Sequence, residues 1–281
     1  MAGRAFLGAF NDSGLGASDL DLLIFAGASK AQVLPCTAAL IQEAVGHSGY
    51  GCFDVDATCL GFLRALQIAT QFLSTKTYRN IAIVVAEGSS RHLNAKDPLT
   101  SPLFGDGAAA YILSASESTP GHSRSIARIA THFATYGEFA ELCKLEGGLV
   151  HLPAWECTSQ TDPRFLFQMK GKQLYATTAK LLPKHLHEFL DKEGLELDDF
   201  DWVVPHQASQ SALNLMSSRL KIPSHKLVNI IEENGNQVAA SLPIALHSLL
   251  SHLPPKSSVN ILLIGTGAGF GIGLTILTLS A

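Results

Sequence analysis

The chain has 281 residues, of which 47% are hydrophobic and 16% charged, and 20 basic residues stand against 24 acidic ones for a net charge of −4. That balance excludes disorder and a minimal scaffold and requires extensive burial in a core or a subunit interface. No dense basic stripe is available to follow a phosphate backbone, so nucleic acid is not an expected partner.

Five cysteines, Cys36, Cys52, Cys59, Cys143 and Cys157, form no CxxC pair. An odd set in a long chain reads as the reduced thiols of a cytoplasmic protein, with no disulfide framework and no structural zinc. The start, MAGRAFLGAFNDSG, lacks a charged leader followed by a long apolar run, so export is not expected. Residues 259–281 carry no charge and are long enough to cross a bilayer. Their glycines at 265, 267, 269, 271 and 273, set among β-branched residues, fit two buried strands joined by a glycine turn better than a membrane span.

In chain order, Val- and Ile-rich runs alternate with helical patterns. The spacing predicts a strand over 20–26, a helix over 37–45, a strand over 52–56, a helix over 60–73, and strands over 81–86 and 107–113. Residues 114–162 lose periodicity and read as strands interrupted by a long functional loop. A helix is predicted over 172–190, a strand over 202–204, a helix over 210–220, a strand over 228–231, a helix over 243–250, and then the glycine-punctuated strand pair. This alternation predicts an α/β protein with helices covering its sheets, in two halves, 1–165 and 166–281, with no low-complexity linker between them.

Four segments carry chemistry. In Phe53-Asp-Val-Asp-Ala-Thr-Cys59 a strand runs straight into a helix whose first turn holds a cysteine, where free N–H groups and the helix dipole favour a thiolate. In Val203-Val-Pro-His206-Gln-Ala a strand ends on a histidine, at the kind of sheet edge where α/β proteins bind ligands. In Glu233-Asn-Gly-Asn236-Gln a carboxamide stands beside a glycine turn ahead of a helix. Gly265-Thr-Gly-Ala-Gly269-Phe-Gly lets backbone approach a ligand closely but lacks the GxGxxG spacing of a dinucleotide site, so no nucleotide cofactor is expected. His185 and His187, two apart on a predicted helix, face different directions and read as surface residues rather than metal ligands.

Taken in order, the cysteine after DVDAT, PHQA, GNQVAASLP and the GxGxG turn resemble the ketoacyl-acyl-carrier-protein synthase III family of the thiolase superfamily, and Phe104-Gly-Asp-Gly107-Ala resembles that family's FGDGA segment. The resemblance implies a five-layer αβαβα sandwich of two βαβαβ halves, a homodimer, and an acyl pocket near the dimer interface. It implies that Cys59 accepts an acyl group from an acyl-coenzyme A. The N–H groups of Cys59 and Gly269 would form the oxyanion hole, and His206 and Asn236 would stabilise the enolate left when a malonyl thioester on acyl carrier protein decarboxylates. Neither metal nor organic cofactor is implied. Asn is always neutral and His can donate in either charge state, which suits enolate stabilisation.

The sequence departs from the family in three places. Fewer residues precede Asp19 than the family has there, which predicts a missing first strand and helix, a gap in the centre of the first sheet, and no Trp or Arg contacts to coenzyme A near the N-terminus. Ser211 stands where the family often places an arginine facing the donor or carrier. Leu34 stands at the bulky residue that shapes the acyl pocket. Two further functions are compatible with these residues: acyl transfer from the same acyl-Cys59 to an alcohol, an amine or water, and a non-catalytic partnership with a full-length homologue in a heteromer.

Overall fold

A computed structural model describes residues 1–98, 100–115, 124–254 and 258–280. It opens with helix α1 (Ala2–Ser13), which buries Phe6 and Phe10, one turn apart, and stops at Gly14 in the left-handed conformation that glycine adopts freely. The segment expected to lack the family's first strand and helix thus holds a helix, which its i, i+4 aromatic pair signals in its own right.

The first sheet follows from β1 (Leu22–Phe25), β2 (Gly51–Asp54), β3 (Asn80–Glu87) and β4 (Gly107–Ser114), with α2 (Thr37–Val45) and α3 (Gly61–Ser74) as crossovers. Its order is β2-β1-β3-β4, with β4 alone antiparallel. The expected central gap is therefore not there: β1 is hydrogen-bonded on both sides and β3 continues the ladder to β4. Among the described residues no interior strand of this sheet is left without a partner, which is what buried N–H and C=O groups require.

The second half adds β5 (Ser125–Thr135), the short ribbon β6 (Cys143–Lys144) with β7 (Gln168–Met169), helix α4 (Gly171–Glu193), β8 (Trp202–Pro205), α5 (Gln210–Leu220), α6 (Ile231–Asn234), α7 (Ser241–His252), β9 (Val259–Gly267) and β10 (Gly271–Ser280). The second sheet runs β5-β10-β9-β8. Residues 114–162, read as strands interrupted by a long loop, thus hold an 11-residue strand whose bounds the pattern does not give. SIARIATHFAT mixes His, Arg and Thr into a part-buried edge strand, which blurs its alternation. Because β5 pairs with β10, the sheets do not divide at residue 165.

The strand expected over 228–231 is also absent. Val228 N–H reaches Val203 C=O at 2.9 Å, but the next donors go to side chains: Ile230 N–H to Gln207 Oε1 at 2.9 Å and Ile231 N–H to Asn229 Oδ1 at 3.1 Å. Side-chain acceptors take the groups a ladder would use, and the backbone turns into α6.

The five layers are legible in which way each strand residue faces. Leu22, Ile24, Ile81 and Ile83 join Leu63 and Leu66 of α3, Leu246 and Leu249 of α7, and Ile261 and Leu263 of β9 in one central cluster between the sheets. Leu23, Phe25, Ala82 and Val84 point the other way, onto Phe6, Phe10 and Ile41 of α1 and α2. Leu262, Ile264, Ile272 and Leu274 turn outward onto Leu182, Leu186 and Phe189 of α4. Period-2 alternation between two apolar faces makes both sheets interior layers, giving the order helix, sheet, helix, sheet, helix. Residues 259–280 form two of those strands, and no helix among the described residues is long and apolar enough to cross a membrane.

Candidate active site

Cys59 lies in a tight 3-10 turn, Thr58–Leu60, just ahead of α3 rather than within the helix's first turn. Thr58 takes a left-handed φ of 48°, and its hydroxyl donates to Ala268 C=O at 3.4 Å. The turn is pressed onto the end of β1: a Cβ on Gly61 would run into the Ala26 carbonyl, so only glycine fits there. The residue as a whole is only part-buried. Its thiol is surrounded, and burial, followed by the charges of Cys143 and Glu87, pushes its pKa up to about 12, against backbone hydrogen bonds at Ala268 and Cys59. The thiolate expected from the helix dipole is thus overruled by desolvation, and the resting group is a thiol.

His206 follows directly on β8, with its N–H on Ile264 C=O of β9 at 2.7 Å. It is 7% exposed. Burial lowers its pKa to about 4, so the imidazole is neutral at physiological pH, and its Nδ1 has no hydrogen-bond partner among the described residues.

Asn236 follows Gly235, whose φ is 65°. The Asn236 backbone pairs with the FGDGA segment, its N–H on Leu103 C=O at 2.7 Å and its C=O receiving Gly105 N–H at 3.1 Å. Its carboxamide is oriented from both ends: Nδ2 donates to Ala208 C=O at 3.2 Å and Oδ1 accepts Val238 N–H at 2.9 Å.

Strand β9 draws these parts together. Its Ile264 holds His206, and three residues on, Gly267 lies so close to the Cys59 turn that a Cβ there would stand 2.9 Å from Thr58 Oγ1 and 3.6 Å from Cys59 N. Gly269, with φ 77°, and Phe270, with φ 48°, then wrap the chain back into β10. Asn236 joins through Ala208, two residues past His206.

Leu34 is not brought to this place. It lies in the β1–α2 connection and is 81% exposed, beside Val33 at 68%. A cleft of about 310 Å³ opens beside the Cys59 turn, lined by Asp56, Thr58, Arg64, Phe133, Ala268 and Gly271, with neither His206 nor Asn236 in its wall.

Two residues near Cys59 were not foreseen. Glu87 ends β3 fully buried, and Cys143 sits on β6 with burial raising its own pKa to about 11. A carboxylate closing an otherwise apolar strand, as in Ile-Val-Val-Ala-Glu87, was the available signal for the first. His185, read as a surface residue, is buried instead, its Nδ1 2.9 Å from His132 Nε2 and its Nε2 2.6 Å from the Tyr136 hydroxyl. His187 is exposed, 3.4 Å from Asp191.

Residues 53–137 match the family described as 3-oxoacyl-(acyl-carrier-protein) synthase III, and residues 190–279 match its C-terminal family. The chain is 31% identical over 276 residues to beta-ketoacyl-(acyl-carrier-protein) synthase III of Clostridioides difficile, covering 98% of this chain and 82% of that protein. It is 33% identical over 273 residues to the same enzyme of Rhizorhabdus wittichii, covering 97% and 81%. Among solved structures it is similar to 3-oxoacyl-(acyl-carrier-protein) synthase III from Aquifex aeolicus, with a TM-score of 0.84, 30% identity, and 99% of this chain and 83% of that one covered.

Proposed function

The chain belongs to the 3-oxoacyl-(acyl-carrier-protein) synthase III family, and from that premise we propose that it is an acyltransferase condensing an acyl-coenzyme A with malonyl-acyl carrier protein through an acyl-Cys59 intermediate. The observation that carries the role of each residue is the convergence on β9, where the His206 loop and the Cys59 turn attach three residues apart, with Asn236 tied to the same loop at Ala208.

Cys59 sulfur adds to the acyl carbonyl, and the proton of the thiol leaves with the departing coenzyme A thiolate. The N–H groups of Cys59 and Gly269 face the oxygen that becomes anionic, a charge that fixed donors in a dry site stabilise far better than water does. The malonyl carboxylate then departs as carbon dioxide. The electron pair stays as an enolate whose oxygen receives N–H groups from Asn236 and neutral His206. A carboxylate at 236 would repel it, and a charged imidazole is disfavoured by burial. The enolate carbon attacks the acyl-Cys59 carbonyl and expels the sulfur, which takes up a proton to restore the thiol.

The exposed Val33 and Leu34 lie in the connection that leads into α2 and β2, and β2 is the outer strand of its sheet. An edge strand and a run of exposed apolar side chains within the same stretch of chain favour a second copy of the chain on this face, so the working unit is a homodimer.

Intact mass after incubation with a panel of acyl-coenzyme A donors, followed by malonyl-acyl carrier protein, tests the reading. The expected result is an adduct that Cys59→Ala abolishes, then carbon dioxide release and chain extension. Acyl transfer without carbon dioxide release, or no adduct from any donor, overturns it.

A further inference from the structure

Glu87 is 0% exposed at the last position of β3, and the condensation just described makes no use of it. A carboxylate so enclosed is costly unless donors surround it. Its Oε1 accepts Ala28 N–H at 2.7 Å and its Oε2 accepts Ser29 N–H at 2.9 Å. The Ser29 hydroxyl and Ala239 N–H complete the set; burial pushes the Glu87 pKa up, and these four donors, all satisfied by the ionised form, oppose that rise.

Those donors belong to two segments with no hydrogen bond to each other among those described. Ala28 and Ser29 open the connection from β1, just past Ala26, whose carbonyl faces Gly61 of the Cys59 turn. Ala239 lies three residues after Asn236, in the turn whose Val238 holds the Asn236 carboxamide. One side chain thus fastens the floor under the nucleophile to the turn that aims the amide. After burial, Glu87 and Cys143 are the two groups whose charge raises the Cys59 pKa, and Cys143, itself pushed up to about 11, is an uncharged thiol at physiological pH; neutral His206, and Asp56 and Arg64 in the adjoining cleft, are the other titratable groups around the turn.

Resting on the condensation reading, we propose that Glu87 is a positioning residue of this site, a buried carboxylate staple that fixes the loops flanking Cys59 and Asn236 and presents a negative charge to the Cys59 sulfur. It touches neither substrate nor the reacting atoms. Its two effects separate experimentally, because charge sets how readily the sulfur ionises and reach sets how well the loops are held.

The test compares Glu87→Gln and Glu87→Asp with the wild type by the pH profile of iodoacetamide labelling at Cys59, read by peptide mass, and by kcat for condensation. Glu87→Gln removes the charge, so the labelling midpoint moves down by about one pH unit, the scale of a like charge taken from a buried neighbour. Glu87→Asp keeps the charge but shortens the staple, so the profile stays near that of the wild type while kcat falls at least tenfold. A wild-type labelling profile in folded Glu87→Gln, or wild-type kcat in Glu87→Asp, overturns the proposal. If Glu87→Gln does not fold, the kcat of Glu87→Asp decides. Acylation of wild-type protein by acyl-coenzyme A, followed in parallel, keeps the two ideas apart. Absent acylation with a shifted Glu87→Gln midpoint sinks the condensation reading alone, and normal acylation with an unshifted midpoint sinks this one.

Discussion

Asn236 donates its Nδ2–H to the carbonyl of Ala208 at 3.2 Å, so the carboxamide is held by the loop that begins at His206, 30 positions earlier in the chain. The second Nδ2 proton has no acceptor among the described residues, and the amide cannot flip without breaking both this bond and the one from Val238 N–H.

That anchoring predicts a split phenotype. Asn236→Ala and Asn236→Asp should lower decarboxylation of the malonyl thioester by about 10²-fold or more, the cost of losing one preorganised donor to an oxyanion. Acylation of Cys59 should survive in both. Single-turnover acylation by mass and carbon dioxide release measured on the same samples check this, and equal loss of both steps would count against a role confined to the enolate.

Two raised thiol pKa values give a pH dependence of stability with a definite sign. Cys59, at about 12, and Cys143, at about 11, hold their protons in the folded chain above the usual thiol value of 9.0, whereas the unfolded chain releases them there. The unfolded state then binds fewer protons, so stability is full below pH 9 and falls as pH rises towards 11 and 12. Thermal melts between pH 8 and 11 should show a decline that Cys59→Ala makes shallower. A parallel decline in the variant would show that other groups govern the alkaline limb.

Gly61→Ala should destabilise the fold, because its new methyl group meets backbone rather than a movable side chain. Overpacking of this kind costs about 1–3 kcal/mol, and the Cys59 turn would shift with it. Calorimetry gives the first effect, and the rate of Cys59 acylation gives the second.

Replacing Val33 and Leu34 together by serine should weaken self-association while leaving the fold of the single chain intact, since both side chains are more than two-thirds exposed there. Light scattering on the eluting protein distinguishes a shift to monomer from an unchanged dimer.

Much of this architecture was legible from the chain itself. Helices 37–45 and 210–220 match their predicted bounds because each shows a clear apolar period and a flanking stop, Gly46 in one case and Lys221 in a left-handed conformation in the other. The four chemical segments were legible because a strand end, a glycine turn and a reactive side chain stand next to one another in sequence. Glu87 was not, since its partners are 58 and 59 positions away on one side, and nothing local reveals them. The state of Cys59 was misread for the same reason: the helix terminus is visible in sequence, whereas the enclosure that outweighs it is assembled from distant segments. Residues 228–231 failed because Gln207 and Asn229 capture donors that a run of apolar residues seems to offer to a sheet.

The pairing of β5 with β10 bears on how the protein can be divided. A gene cut at residue 165 would yield a leading fragment whose β5 has no sheet of its own, and a trailing fragment whose β10 keeps β9 on one side but is bare along its other edge. Each piece would expose an adhesive ribbon, so separate expression favours aggregates, while co-expression lets the leading piece dock its strand and restore the whole. A break placed between β4 and β5 respects the two sheets, and it is there that a reassembling two-part version of this enzyme should be sought.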